Sequence, residues 1–442
     1  MPLTPAGVTA HTAVLDTVER PEPGDWTQTC TADEIADQVP LAGGKPYPLA
    51  VKANIAVRGL RRSAGCELLD VRPEEADAPV VALLRRSGAV VVGMANMHEL
   101  AFGITSQNAS YGAVRLPGRP GYLAGGSSGG SAAVVARGHA EVALGTDTGG
   151  SISIPASLCG VAGFRPSTGR WPSAGIVGLS WTRDTPGLFA RSVRRLAEID
   201  LTMLGGTMDP DQDFPRPRIG VPAGLFRDLH PATRAAIEPA LDALADTVEL
   251  VPVKLADIWE LTRAAAMPIV CWEARRLLGD VAARALGVDP EQAFARLVAD
   301  VRSPDVRQIL ETELESPVSP GAYAIAQRQT DQARASYAEL LRKHALDALA
   351  FPTTPAPAPP ADCDGTVEHL ESRVDAFEVY TRNTTPGAML GAPMVTFPLA
   401  TPEAGLPVGL TIQGARFDDR RALRLAEGMA GTLSNTVAKP LD

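Results

Sequence analysis

Apolar residues in this chain gather into short runs separated by polar, glycine-rich or proline-rich breaks. The runs predict strands at Leu49–Val57, Ala89–Gly93, Glu141–Gly145, Arg218–Pro222, Val248–Val253, Asp347–Phe351, Met394–Leu399 and Val408–Gln413. Between them helices are predicted at Glu74–Ser87, Ser128–Arg137, Ser192–Leu204, Pro231–Ala245 and Asp419–Leu433. Alternation of this kind implies an α/β fold, a single large mixed β-sheet covered by helices on both faces. From Ile258 to Ala345 the pattern turns almost wholly helical. That stretch reads as a helical insertion that walls a channel, so residues 1–442 are expected to form one domain. Pro352–Pro360 resembles a linker in composition. Because it leaves a strand end, it reads as a rigid loop beside a site.

Two features break the pattern. The first is a pair of clusters, Gly125-Gly126-Ser127-Ser128-Gly129-Gly130-Ser131 and Gly145-Thr146-Asp147-Thr148-Gly149-Gly150-Ser151. Such clusters are usually flexible linkers or phosphate loops. Here they are separated by Ala132–Ala136 and Val142–Leu144, which read as buried elements. Glycine frees the backbone for unusual dihedrals, so a hydroxyl and several unpaired N–H groups can surround one point. Acyl transfer needs that set: a nucleophile, and donors aimed at a developing oxyanion. The second feature is Lys52, inside the apolar run Pro48–Ile55. The chain has five lysines against thirty-six arginines, yet keeps one in a hydrophobic strand.

At these residues the chain resembles the amidase signature hydrolases. The two clusters, Pro155-Ala156 and Cys159–Pro166 follow the signature nearly residue by residue. Val51–Ile55 resembles the family's lysine strand, and Met94–Gly103 its next helix start. Gly391–Pro393 and Gly405–Leu410 resemble its closing strands. The likeness covers most of the chain and is weakest between about residues 210 and 346. It implies a triad in which Ser151 is the nucleophile, Ser127 a bridging serine on a cis peptide bond, and Lys52 the base. Burial with no carboxylate alongside would lower the lysine pKa enough for it to act as a base. The N–H groups of Thr148, Gly149, Gly150 and Ser151 are the expected oxyanion hole, at the start of a short helix. Ser128 and Asp147 are the expected support. The family usually places Arg where this chain has Ser153, and that Arg pairs with the equivalent of Asp147. Asp147 therefore needs another partner, Arg165 or a hydrogen-bond network.

Other motifs fit less well. Gly125–Gly129 also matches the G-x-S-x-G elbow, which should follow a strand directly; here it follows the loop Leu116–Gly121. No Ser lies three residues before a Lys, His98-Glu99 has no second His at position 102, and no Gly-Lys-Ser/Thr follows either cluster. His98 therefore reads as a structural or helix-start residue rather than a ligand.

Composition narrows the class. A net charge of −10 argues against a nucleic-acid partner, and 45% apolar residues suffice for a large core. Five scattered cysteines (30, 66, 159, 271, 363) lack metal spacing and read as free thiols in a reducing compartment, with Cys159 in the core. No apolar run approaches a membrane span. Met1–Pro5 shows no basic stretch leading into an apolar one, so no secretory signal is expected. The expected location is cytoplasmic, with no metal and no cofactor. The expected partner is a small-molecule amide, and a homodimer is the assembly to test.

Trp181–Gly187 followed by Ala190–Val193 resembles the indoleacetamide and mandelamide hydrolase branch of the family. It is less similar to the A subunit of tRNA-dependent amidotransferases. The resemblance thus implies a stand-alone amidase for small acyl or aryl amides, extending to anilides or carbamates, that works through an acyl-enzyme. The alternatives are an amidotransferase subunit passing ammonia to a partner and a silent protein that keeps the fold.

Overall fold

Eleven strands form one mixed sheet in a computed structural model that describes residues 22, 24–205, 216–399 and 405–433. In chain order they are β1 (Trp26–Thr29), β2 (Tyr47–Lys52), β3 (Ala89–Ala95), β4 (Val142–Asp147), β5 (Ala162–Arg165), β6 (Thr185–Ala190), β7 (Arg218–Pro222), β8 (Glu249–Val253), β9 (Ala348–Pro352), β10 (Met394–Leu399) and β11 (Val408–Gln413). Their spatial order is β1-β3-β2-β4-β6-β5-β10-β11-β9-β7-β8. The β3-β2-β4 and β9-β7-β8 pairs are parallel, and the strands between are antiparallel. Every residue of β2, β3, β4, β6, β10 and β11 is buried. These strands are apolar runs, not alternating ones, because helices cover both faces.

Four helices matter for the sheet and the site: α1 (Pro79–Arg86), α2 (Gly129–Arg137), α3 (Ser153–Cys159) and α4 (Val193–Leu204). α2 packs on β4, while α3 packs on β5, β10 and β11. The insertion is four helices: α5 (Ala256–Leu286), α6 (Pro290–Asp300), α7 (Pro304–Glu315) and α8 (Pro320–Lys343). Each of the last three opens with proline in its first turn, where the missing N–H costs nothing. Asp289 and Ser319 cap two of them through Gln292 N and Ala322 N. Glu99, fully buried, fastens the insertion to the sheet by accepting from the N–H groups of Arg302 and Ser303.

Several boundaries differ from the expectations. The strand read as Leu49–Val57 stops at Lys52, and Ile55 makes only an isolated bridge to Ile176. The helix read from Glu74 begins at Pro79, because residues 73 and 74 bridge back to Arg61 and Arg58. Met94–Gly103 is not a helix start. Met94 and Ala95 finish β3, and a single 3-10 turn follows at Glu99–Ala101 with Leu100 at φ +53. β1, β5 and β6 are strands the pattern does not mark, because the first is polar, the second short, and the third carries Pro186-Gly187. All five cysteines are free, and Cys159 is buried in the core. No helix among the described residues is long and apolar enough to cross a membrane. The Met1–Pro5 segment, read as lacking a secretory signal, lies outside the described residues.

Candidate active site

Strand register builds the site. β2 and β4 run parallel with Val51 opposite Leu144, so their carboxyl ends, Lys52 and Thr146-Asp147, emerge side by side. β6 runs antiparallel to β4 with Thr185 opposite Asp147, which brings Arg183 and Asp184 beside Thr148. The Gly126–Ser127 peptide is cis, and the Ser127 carbonyl accepts from His98 N at 3.0 Å.

Lys52 is fully buried, and its Nζ donates to Ser127 Oγ at 2.8 Å and to Thr146 Oγ1 at 2.9 Å. Burial pushes the Lys52 ammonium down to about 7, against a smaller opposing pull from Asp147 and Asp184. The surroundings are therefore not free of carboxylates, as the sequence suggested, but desolvation outweighs them. Thr146 also accepts from Asn54 Nδ2 at 3.2 Å, which fixes the hydroxyl beside the lysine. Ser128 Oγ donates to the Thr146 carbonyl at 3.1 Å and so ties the two serine clusters together.

Asp147 is fully buried and holds the second cluster in shape. Its Oδ1 accepts from Gly150 N at 2.9 Å and from Arg165 Nε at 3.0 Å, and its Oδ2 accepts from Ile152 N at 2.7 Å. Arg165 thus takes the place of the arginine missing at position 153. Its other nitrogens donate to carbonyls of Pro166, Ala392 and Arg183 and to Thr168 Oγ1. Ser153 lies fully buried at the first turn of α3, and its hydroxyl has no hydrogen-bond partner among the described residues.

The Asp147 bond corrects one expectation. Gly150 N–H is already engaged by the carboxylate and is not a free oxyanion donor. Thr384 Oγ1 donates to the Gly149 carbonyl at 2.8 Å, which turns the Gly149–Gly150 peptide N–H toward Asp147. The N–H groups of Thr148, Gly149 and Ser151 remain without a protein acceptor among the described residues.

Thr148, Gly149 and Ser151 line a cavity of about 840 Å³. Its wall is largely apolar and includes Phe102, Trp259, Met267, Val270 and Phe377. Trp259, Met267 and Val270 come from α5, so the insertion forms one side of the cavity. Pro355, in the proline-rich segment after β9, forms another part of the wall. Lys52 and Ser127 are not among the residues that line the cavity.

Sequence reasoning does not single out Thr384, which orients the Gly149 carbonyl, or Asp184, which accepts from Thr148 Oγ1 at 2.6 Å. Asn383-Thr384-Thr385 is a polar triplet leading into an apolar helix, Thr385–Leu390, and that signal could have found the first of them.

The arrangement can be set beside known proteins. The amidase family profile matches residues 28–423. Indoleacetamide hydrolase of Pseudomonas savastanoi is 37% identical over 396 residues, covering 88% of this chain and 83% of that protein. Mandelamide hydrolase of Pseudomonas putida is 37% identical over 412 residues, covering 88% of this chain and 78% of that protein. A crystal structure described as an amidase superposes with a TM-score of 0.81 at 32% identity, covering 97% of this chain and 94% of that one. The serine clusters, the buried lysine and ten of the eleven sheet strands lie wholly within the matched span, and the chain belongs to the amidase family, hydrolases of carbon–nitrogen amide bonds.

Proposed function

We propose that this enzyme hydrolyses small aryl amides of the arylacetamide type through a Ser151 acyl-enzyme. One observation carries the reading: a fully buried lysine, held at about 7 by desolvation, is hydrogen-bonded to Ser127, and Ser151 lines a largely apolar cavity. A lysine near neutrality is unprotonated in part at pH 7 and above and can accept a proton. Ser127 passes the Ser151 proton to Lys52 while Ser151 Oγ bonds to the amide carbonyl carbon. The developing oxyanion is met by N–H groups of the Thr148–Ser151 loop. The carbon–nitrogen bond then breaks, and the proton returns along the same path to the departing nitrogen, which leaves as ammonia. Water attacks the ester, its proton taken up by the same relay, and the carboxylic acid is released. Ser128 and Asp147 hold the two loops in register.

The largely apolar wall supports this substrate class. Aromatic and aliphatic side chains favour a flat apolar acyl group over a charged one. The named substrates of the two relatives, an indole amide and a phenyl amide, suit that wall.

The test is ammonia release by the purified chain from indole-3-acetamide, 2-phenylacetamide, mandelamide, an aliphatic amide, an anilide and a carbamate. The aryl amides are expected to lead. Release only in the presence of a second protein would transfer the reading to an ammonia-passing subunit. Turnover confined to the anilide or carbamate would remove the arylacetamide assignment.

A further inference from the structure

Arg183 has one donor nitrogen that the described residues leave unused. Its Nε donates to the Thr148 carbonyl at 3.1 Å, and its Nη1 donates to the Ala266 carbonyl at 2.9 Å. Nη2 has no acceptor among the described residues. Arg183 is only 4% exposed, and the surface it keeps lies on the cavity wall. Buried guanidinium donors are ordinarily satisfied, so an idle one on a cavity wall is open to a ligand.

Geometry says which part of a ligand it meets. A methyl group added to Gly149 would come within 3.4 Å of Nη2. Gly149 is on the loop that carries Ser151, and both residues line the same cavity. An acyl carbon bonded to Ser151 Oγ places its α-substituent, not a remote ring atom, within reach of that loop. The other two nitrogens fix the guanidinium between Thr148 and α5, so it cannot follow a distant group.

Charge says what that substituent is. Arg183 shares a buried network with Arg165, Asp147, Asp184 and Glu273. Glu273 is held there by Thr182 Oγ1 at 2.9 Å and by Tyr323 OH at 2.7 Å. Two cations therefore face three carboxylates. A substrate carboxylate there would add a negative charge beside the three carboxylates that already act on Arg183, whereas a neutral oxygen needs only the hydrogen bond.

We infer that Arg183 is a specificity-determining residue whose Nη2 donates to a neutral oxygen on the carbon next to the scissile carbonyl. The favoured substrates are then α-hydroxy or α-oxo aryl amides. This inference rests on Ser151 being the nucleophile.

The experiment compares kcat/KM for mandelamide and 2-phenylacetamide, which differ by one α-hydroxyl. Wild type is expected to favour mandelamide by about 10- to 100-fold, the span of one charge-assisted hydrogen bond. In Arg183→Gln the ratio should fall toward one, with Arg183→Lys between. The ratio is read within one preparation, so partial misfolding of a variant cancels. A wild-type ratio near one overturns the inference, and so does a preserved ratio in both variants. An equal fall for both amides also overturns it and makes Arg183 a support for the Thr148 loop. If wild type turns over neither amide, the arylacetamide reading fails first and carries this inference with it. Mandelamide turnover at the expected ratio but without Ser151 acylation would overturn the nucleophile assignment and, with it, the placing of Nη2 at the α-carbon.

Discussion

Lys52 Nζ stands 2.8 Å from Ser127 Oγ, and neither side chain has any solvent exposure. The pair exists because two parallel strands end at the same level. β2 delivers the lysine, β4 delivers Thr146 beside it, and Ser127 of the first serine cluster meets the same nitrogen. A lysine in this setting is cheaper to hold neutral than charged.

The pH profile should show it. Burial holds the Lys52 ammonium at about 7, so below that pH it is protonated, has only donors, and cannot accept the serine proton. kcat is therefore expected to fall as pH drops through about 7 and to plateau on the alkaline side. Lys52→Arg keeps a charge but no base, since guanidinium does not deprotonate in proteins. Lys52→Arg and Lys52→Ala are both expected to lose about 10²–10⁴-fold or more in kcat. Near-native turnover in Lys52→Arg alone would make the position an electrostatic anchor.

Ser151 is the residue expected to react with a serine-directed sulfonyl fluoride or phosphonate. Ser151 lines the cavity and keeps 8% of its surface, whereas Ser127 and Ser128 have no exposure. Peptide mass spectrometry of the labelled protein should place the adduct on Ser151, and Ser151→Ala should lose turnover by several orders of magnitude. An adduct on Ser127 or Ser128 would return the nucleophile to the G-x-S-x-G elbow.

Much of this neighbourhood is legible in the sequence. Lys52 stands out because an apolar run excludes charge unless something uses it, and the serine clusters stand out because glycine has no reason to recur in buried chain. That Asp147 needs another partner follows from the missing arginine at position 153; the sequence leaves Arg165 and a hydrogen-bond network as alternatives, and the carboxylate takes both. Other features depend on long-range geometry that a sequence does not carry. The bond from Thr384 to Gly149 joins residues 235 positions apart, and it decides which way the Gly150 N–H points. The idle nitrogen of Arg183 depends on where α5 places the Ala266 carbonyl. β5 and β6 escape a local reading because sheet neighbours, not propensity, make them strands.

Asp147→Asn tests the support shell. Arg165 is fully buried beside it, and removal of the carboxylate charge leaves a cation with only carbonyl and hydroxyl acceptors. Breaking a buried pair in this one-sided way costs about 3–5 kcal/mol. The new side-chain amide would also put a donor where Gly150 N or Ile152 N now donates. A clear fall in the urea midpoint is expected, with loss of activity even in the folded fraction. An unchanged midpoint would mean that the carbonyls around Arg165 suffice.

Gly150→Ala separates the geometry of the loop from its chemistry, because the substitution changes no charge and removes no donor. Gly150 sits at φ +134, a region in which a side chain is strained. A methyl group there would also collide with Thr384 Oγ1 and stand 2.7 Å from Thr384 Cβ. Thr384 is the residue that holds the Gly149 carbonyl, so it cannot retreat without releasing that bond. Once released, the Gly149–Gly150 peptide can rotate, Gly150 N loses Asp147, and the N–H groups beside Ser151 lose their common direction. Active-site titration should then show a reduced reactive fraction of Ser151, together with a fall in kcat that exceeds any change in KM. Thr384→Ala relieves the collision but not the φ strain. In the double variant only part of the activity should return, and the size of that part measures how much of the Gly150 requirement is steric. Full activity in Gly150→Ala alone would show that the loop has a second reactive conformation that needs neither Thr384 nor the Asp147 bond.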